Sequence, residues 1–304
     1  FGGTGIVSAS LLEDTVDTVV INDFLYSNEA IYHAFFGNED YDIVKLEQYC
    51  NSYNNIDKES LASNYVSDNY GDKYFRYDDA KLIGYIRQNI EDEYAIGNIS
   101  RKEYYILLAS LLYSFDRCTN TVGHYEAYIK GKEIHSEFIF RLIKPIKSNK
   151  NVQIFRQDAN ALAPNVQTDI AFLDPPYNSR QYCDAYHLLE NVAIWNKPEV
   201  FGVAKKMDRT KMKSKYCKSI EAAKALDELV MKLDCRYILL SYNNNGKKLQ
   251  VRSNAKMTDE EIVDTLSKRG EVKVFTTDYR GFDAGKSEMN KDNQERLFLC
   301  SVNK

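Results

Sequence analysis

Apolar and polar positions follow two rhythms along this chain, and the change between them divides it. "DTVVIND" (17–23) is a short β-branched run that ends in Asp23 and reads as a strand, followed by a helical pattern from about Ser27 to Phe36. From 40 to 150 this alternation is lost. A tyrosine- and asparagine-rich polar segment gives way to amphipathic helices at Asp79–Tyr94 and Lys102–Phe115, the second with Tyr105, Leu108, Leu112 and Phe115 at helical spacing. "NTVGHYEAYIKG" (120–131) breaks the period at a glycine and resumes it. From Val152 the first rhythm returns. "VQIFRQD", "TDIAFLD" and "RYILLSY" (236–242) read as strands, with helices at Ala185–Trp195 and Ser219–Leu233 between the last two. A helix at Thr258–Lys268 then precedes "EVKVFTTDY" and "ERLFLCSV", a closing strand pair.

Strands separated by helices predict an α/β fold with a doubly wound, mostly parallel sheet and an antiparallel pair at its C-terminal edge. The expected division is one domain from 1–39 and 150–304, interrupted by an inserted helical subdomain at 40–149. With 304 residues, 44% of them hydrophobic, the chain is long enough to bury a substantial core. No run of 18 apolar residues is present, so no membrane span is expected. Six scattered cysteines without a CxxC pair point to reduced thiols in a cytosolic protein and to neither a disulfide framework nor a zinc site; the four histidines are equally dispersed.

The net charge of −4 does not suggest a polyanion partner, but its distribution does. Between Gly202 and Lys218 lie Lys205, Lys206, Arg209, Lys211, Lys213, Lys215 and Lys218 against a single acid, Asp208. Such a stripe is either a solvated loop or a phosphate-binding footprint, and charge alone leaves both open.

Two stretches carry chemistry. "FGGTG" places Gly3 and Gly5 ahead of a helix-compatible run, where glycines let a ligand approach the backbone. Asp23 ends the next strand at the distance where a carboxylate accepts ribose hydroxyls, so the pair fits a nucleoside cofactor. The strand expected before this loop would lie ahead of Phe1. The second stretch is "IAFLDPPYNSRQY" (170–182), which uses two of the chain's five prolines side by side. Successive prolines end a strand and stiffen the turn at its carboxyl end, where ligands sit in open α/β sheets. Asp174 and the Pro175 carbonyl offer two acceptors for the two N–H groups of an exocyclic amine, and Tyr177 offers a flat face for the ring that bears it.

"DPPY" with an upstream "FGGTG" resembles the DNA adenine-N6 methyltransferases that use S-adenosylmethionine, in the α-group (Dam-like) order of glycine loop, insertion, then DPPY. The resemblance extends to "DPPYNSRQYCDAYHLLE", "LSYNNNG" and "NTVGHYEAYIKG". It implies a Rossmann-like catalytic domain whose insertion reads the DNA target. Phe1, Gly3 and Gly5 would hold the methionine part of the cofactor, Asp23 its ribose, and Asp158 with Ala159 its adenine. Asp174, Pro175, Pro176 and Tyr177 would form the site for a flipped target adenine. Lys205, Lys206, Arg209, Lys211 and Lys213, with Arg180, Gln181 and His124, become DNA-contact candidates. His187 is expected to serve helix packing, and Asn243 to cap a strand-end turn near the base. The resemblance also implies double-stranded DNA as substrate, a cytoplasmic location, and a cognate restriction endonuclease as possible partner, with no metal. The competing readings are an RNA methyltransferase acting on adenine N6 or guanine N2, a non-catalytic nucleic-acid-binding subunit and, more distantly, a dinucleotide oxidoreductase.

Overall fold

In the computed structural model, which describes residues 1–13, 15–131, 133–243, 255–278 and 294–303, strands and helices alternate at both ends of the chain. The contacts divide the chain into two compact units, one of residues 2–156 and 183–210, the other of Phe1, 157–182 and 211 onward.

In the first unit a glycine turn leads into α1 (Ile6–Leu12), then β1 (Thr18–Asp23) and α2 (Tyr26–Phe36). Four helices follow: α3 (Ile43–Asn54), α4 (Tyr65–Tyr70), α5 (Tyr77–Ala95) and α6 (Arg101–Asp116). Local capping sets their starts. Asp42 accepts the amides of Val44 and Lys45, while Ser100 and Glu103 form a reciprocal capping box that opens α6. β2 (Asn151–Arg156) returns parallel to β1, with Thr18 opposite Asn151 and Asp23 opposite Arg156. The apolar faces of α5 and α6 share a core with α2 and with α9 (His187–Ile194), where Ile83, Ile86, Leu107, Leu111, Leu188 and Val192 are fully buried. A smaller cluster of Leu12, Val19, Ile21, Tyr32 and Phe36 seats β1 on α1 and α2.

The stretch 120–131, expected to resume a helical period, forms turns instead. Gly123 has φ of +97°, and the Ile129 amide bonds back to the Asn120 carbonyl, closing a loop in place of a helical turn.

The second unit carries α7 (Ala159–Leu162), β3 (Ile170–Leu173), α10 (Ala222–Lys232), β4 (Tyr237–Asn243), α11 (Asp259–Ser267), β5 (Gly270–Asp278) and β6 (Gln294–Val302). The short α8 (Tyr182–Ala185) spans the boundary between the units. Sheet order is β3-β4-β6-β5, parallel between β3 and β4 and antiparallel in the other two pairs, so the closing strand pair forms as expected. Ala222, Ala225, Leu226, Leu229 and Val230 line one face of α10 and pack on Ile238, Leu240, Phe298 and Cys300 of the sheet. The apolar run of β3 is only partly covered. Among the described residues it pairs with β4 alone, and Ile170 is exposed while Leu173 is buried. The described strands thus form a two-stranded parallel sheet and a four-stranded mixed sheet, an α/β arrangement with fewer parallel pairs than the sequence rhythm suggests.

All six cysteines are free thiols, and no described helix is long and apolar enough to cross a membrane.

Candidate active site

The glycine turn is built against the end of β1. The Gly2 amide bonds to the Asn22 carbonyl at 2.8 Å, and Gly5 adopts φ of +80°, from which α1 starts. A Cβ on Gly2 would stand 2.6 Å from the Tyr32 hydroxyl, so a side chain there would have to displace the buried Tyr32. Asp23 closes the arrangement. Its Oδ2 accepts the Gly3 amide at 3.0 Å, and its Oδ1 accepts the Phe24 and Leu25 amides at 2.8 and 3.1 Å. Three main-chain donors thus fix a half-buried carboxylate, which retains one lone pair, on Oδ2, for an incoming hydroxyl. Gly3, Gly5 and Asp23, expected to act together, are therefore in one hydrogen-bonded cradle. Phe24, which the sequence reading passed over, is exposed beside Asp23.

The other unit holds Phe1, Asp158, Ala159 and the Asp-Pro-Pro-Tyr turn. Asp158 is the N-cap of α7, accepting the Asn160 amide at 2.9 Å, with Ala159 opening the helix. Asn160 is itself held by the Tyr216 hydroxyl at 2.8 Å, and the Phe1 ring meets Tyr216 edge-on at 5.0 Å.

Asp174 follows the carboxyl end of β3, with Pro175 and Pro176 buried and Tyr177 half-buried. The turn is secured from the neighbouring strand. Tyr242, at the end of β4, donates its hydroxyl to the Tyr177 carbonyl at 3.3 Å and accepts the amides of Lys256 and Met257 at 3.2 and 3.1 Å. The Lys256 amide also reaches the Tyr177 carbonyl at 2.9 Å. Tyr242 stands in the "LSYNNNG" run that the sequence reading quoted without giving this residue a role; residues 244–246 of that run lie outside the described residues. Asp174 opens to solvent by surface area, yet protein crowds it on most sides. That crowding raises its carboxyl pKa to about 6, and Glu295 adds to the rise.

The basic stretch begins in a tight hairpin. Phe201 and Lys206 exchange main-chain hydrogen bonds at 2.8 and 3.0 Å around Gly202 and Lys205, both with positive φ, and Phe201 and Val203 are exposed. Lys205 and Lys206 are half-buried, while Lys211 and Lys213 are exposed. Arg209 is engaged within the protein, its Nε 2.5 Å from Asp184 Oδ1. The Gln181 amide clasps the Ser214 main chain at both N–H and C=O, and the Arg180 carbonyl accepts the Cys217 thiol. His124 lies 3.8 Å from Glu126. His187 is fully buried, bonded to the Tyr125 carbonyl at 2.8 Å, and burial lowers its pKa to about 4, as suits a packing histidine. Asn243 is buried and donates to Glu295 on β6 at 2.7 Å.

A cavity of about 760 Å³ opens elsewhere, lined by Gln167, Asp169, Asp234, Arg236 and Arg269 at the amino ends of β3 and β4, the opposite end of these strands from Asp174. Among the described residues no group of side chains has the makings of a metal site.

Comparison with known proteins supplies the context. Residues 1–255 match the model of the D12 class N6 adenine-specific DNA methyltransferases. The chain is 33% identical over 227 residues to the modification methylase StsI of Streptococcus sanguinis, covering 74% of this chain and 34% of that protein. It is 30% identical over 299 residues to the Type II methyltransferase M.NlaIII of Neisseria lactamica, covering 95% of this chain and 84% of the relative. With the Type II methyltransferase M.FokI of Planomicrobium okeanokoites it shares 27% identity over 315 residues, 98% of this chain and 47% of that protein. The chain therefore spans about a third of one relative, half of another and most of a third. No solved structure gives a significant match.

Proposed function

The chain belongs to the D12 class N6 adenine-specific DNA methyltransferases, and we propose that it transfers a methyl group from S-adenosylmethionine to N6 of an adenine flipped out of duplex DNA. The observation that carries this reading is the Asp-Pro-Pro-Tyr turn, secured at the carboxyl end of a strand with its carboxylate open to solvent. In this reading the residues fit the cofactor's chemistry. The carboxylate of Asp23, fixed by three amides, suits a ribose hydroxyl, and the glycine turn gives close main-chain access for the methionine part at Gly3 and Gly5, a part that Phe1 would also take. Asp158 and Ala159 would take the adenine amino group. When bound, the cofactor supplies a methyl group on a sulfonium, so the protein needs no nucleophile.

Asp174 and the Pro175 carbonyl accept the two N–H groups of the target amine. They align its lone pair and stabilise the positive charge that grows on nitrogen as the bond forms. Proton loss from that nitrogen follows, toward Asp174 or solvent. Tyr177 stacks on the extruded base and replaces part of its lost stacking. The doubly wound catalytic frame at 1–39 and 150–304, a target-reading insertion at 40–149, and phosphate contacts from Arg180, Lys205, Lys206, Arg209, Lys211, Lys213 and His124 complete the proposal. Arg209 must exchange Asp184 for phosphate to take part. The relatives are modification methylases, which supports a role beside a restriction endonuclease in the cytoplasm.

The test is to incubate the protein with labelled S-adenosylmethionine and either duplex DNA or RNA, then digest and identify the labelled nucleoside. N6-methyladenine from DNA, absent with Asp174→Ala, is expected; label confined to RNA, or on cytosine, overturns the reading.

A further inference from the structure

Helix α2 starts three residues after Asp23, and the first of its orphan amides belong to the turn that shapes the Asp23 carboxylate. Nothing local caps it. The N-cap position is Leu25, which has no side chain able to accept a hydrogen bond. The acceptor comes instead from α9, more than 160 residues along the chain: Glu190 Oε1 takes the Tyr26 amide and Oε2 the Ser27 amide, each at 2.8 Å. Glu190 is 1% exposed; burial pushes its carboxyl pKa up, and the Ser27 and Tyr26 amides oppose that rise.

The far end of α2 is held in the complementary way. Lys102 Nζ donates to the carbonyls of His33, Ala34 and Gly37 at 2.7, 2.9 and 2.7 Å. A buried anion at the amino end and a buried cation at the carboxyl end both complement the helix dipole. Between them, Tyr32 reaches back to the cradle and donates to the Gly3 carbonyl at 2.7 Å. α2 and the two residues that lead into it therefore meet the cradle at two places, through the Phe24 and Leu25 amides on Asp23 and through Tyr32 on Gly3. A small axial or rolling shift of this helix would disturb both.

We propose that Glu190 is a positioning residue for cofactor binding, fixing the start of α2 and thereby setting Asp23 and Gly3 in the geometry that receives the nucleoside cofactor. This rests on the cofactor reading of the cradle given above. A cap of ordinary stability could come from serine or asparagine at position 25. A carboxylate drawn from a distant helix also fixes where α2 begins relative to α9, and a local cap would not do that.

The test uses the whole chain, S-adenosylmethionine and duplex DNA. Glu190→Gln keeps one acceptor and turns an N–H toward the second amide, losing the equivalent of one charge-assisted bond. The expected result is a dissociation constant for S-adenosylmethionine raised about tenfold by equilibrium dialysis. The KM for DNA and the rate at saturating cofactor should stay within about twofold. Tyr32→Phe, which cuts the second tie, should weaken the cofactor in the same sense. Wild-type protein that binds no S-adenosylmethionine would defeat the cofactor reading itself. Wild type that binds, with Glu190→Gln binding equally well, overturns the positioning role, as does a loss of melting temperature in the variant with cofactor affinity unchanged. If Glu190→Gln does not fold, Glu190→Asp, which keeps the charge with a shorter reach, is read by the same constant; failure of both to fold contradicts a role in positioning.

Discussion

Replacing Tyr242 by phenylalanine removes one oxygen and leaves the buried ring in place, so its effect isolates the hydroxyl. That oxygen serves three groups: the Tyr177 carbonyl at 3.3 Å, the Lys256 amide at 3.2 Å and the Met257 amide at 3.1 Å. The Lys256 amide retains the Tyr177 carbonyl at 2.9 Å, so its loss is small. The Met257 amide is buried and would be left without a partner, which costs about 1 to 3 kcal/mol. The Tyr177 carbonyl would lose one donor and keep the Lys256 amide, loosening the turn that carries Asp174. Urea unfolding should show a lower midpoint with unchanged slope, and single-turnover methyl transfer should slow roughly tenfold from misalignment alone. A stability change under about 0.5 kcal/mol with an unaltered rate would refute the claim that this hydroxyl holds the turn.

Lys102→Met should destabilise the chain by about 2 to 4 kcal/mol in the same assay, because three carbonyls at the end of α2 lose a charged donor; a change near zero would show that water replaces it freely. His187 is neutral in the fold because burial lowers its pKa to about 4, whereas the unfolded chain protonates it near 6.5. The unfolded state therefore binds more protons between these values, so stability is present above 6.5 and falls by up to about 1.4 kcal/mol per pH unit as acid is added. His187→Gln should flatten that slope, and an identical slope in the variant would rule the histidine out as its source. Lys211→Ala with Lys213→Ala should reduce the steepness of DNA binding against salt by about 0.9 per lost phosphate contact; an unchanged slope would remove both lysines from the DNA footprint.

Strand and helix identities were largely legible, because burial of one face imposes a period on each element. α10 shows this at Ala222, Ala225, Leu226, Leu229 and Val230, and β6 at Arg296, Phe298 and Cys300. The region 120–131 misled, since scattered aromatics there serve tertiary contacts rather than a helix face: Tyr125 is buried and its carbonyl receives Tyr74. How the strands pair was not legible either. A short apolar run such as Ile170–Leu173 looks the same whether one or both of its edges are paired. Asp23 and Asp174 could be set at strand ends from sequence, because an apolar run stops at each. Tyr242, Glu190 and Lys102 could not be assigned their roles from sequence. Their partners lie from about 15 to more than 160 residues away, and nothing in the surrounding residues marks a side chain that will serve a distant main chain. Arg209 illustrates the reverse case, where a residue counted toward a basic patch by composition is paired with Asp184.

The central claim is that Asp174 acts on the target amine. It is tested most directly by single-turnover methyl transfer at saturating S-adenosylmethionine and duplex DNA, comparing wild type with Asp174→Asn. The substitution preserves shape but turns one acceptor into a donor facing the amine. A loss of about a hundredfold in rate, with cofactor and DNA affinities held within a few fold, is the predicted result. A variant that transfers methyl groups at the wild-type rate would contradict the account.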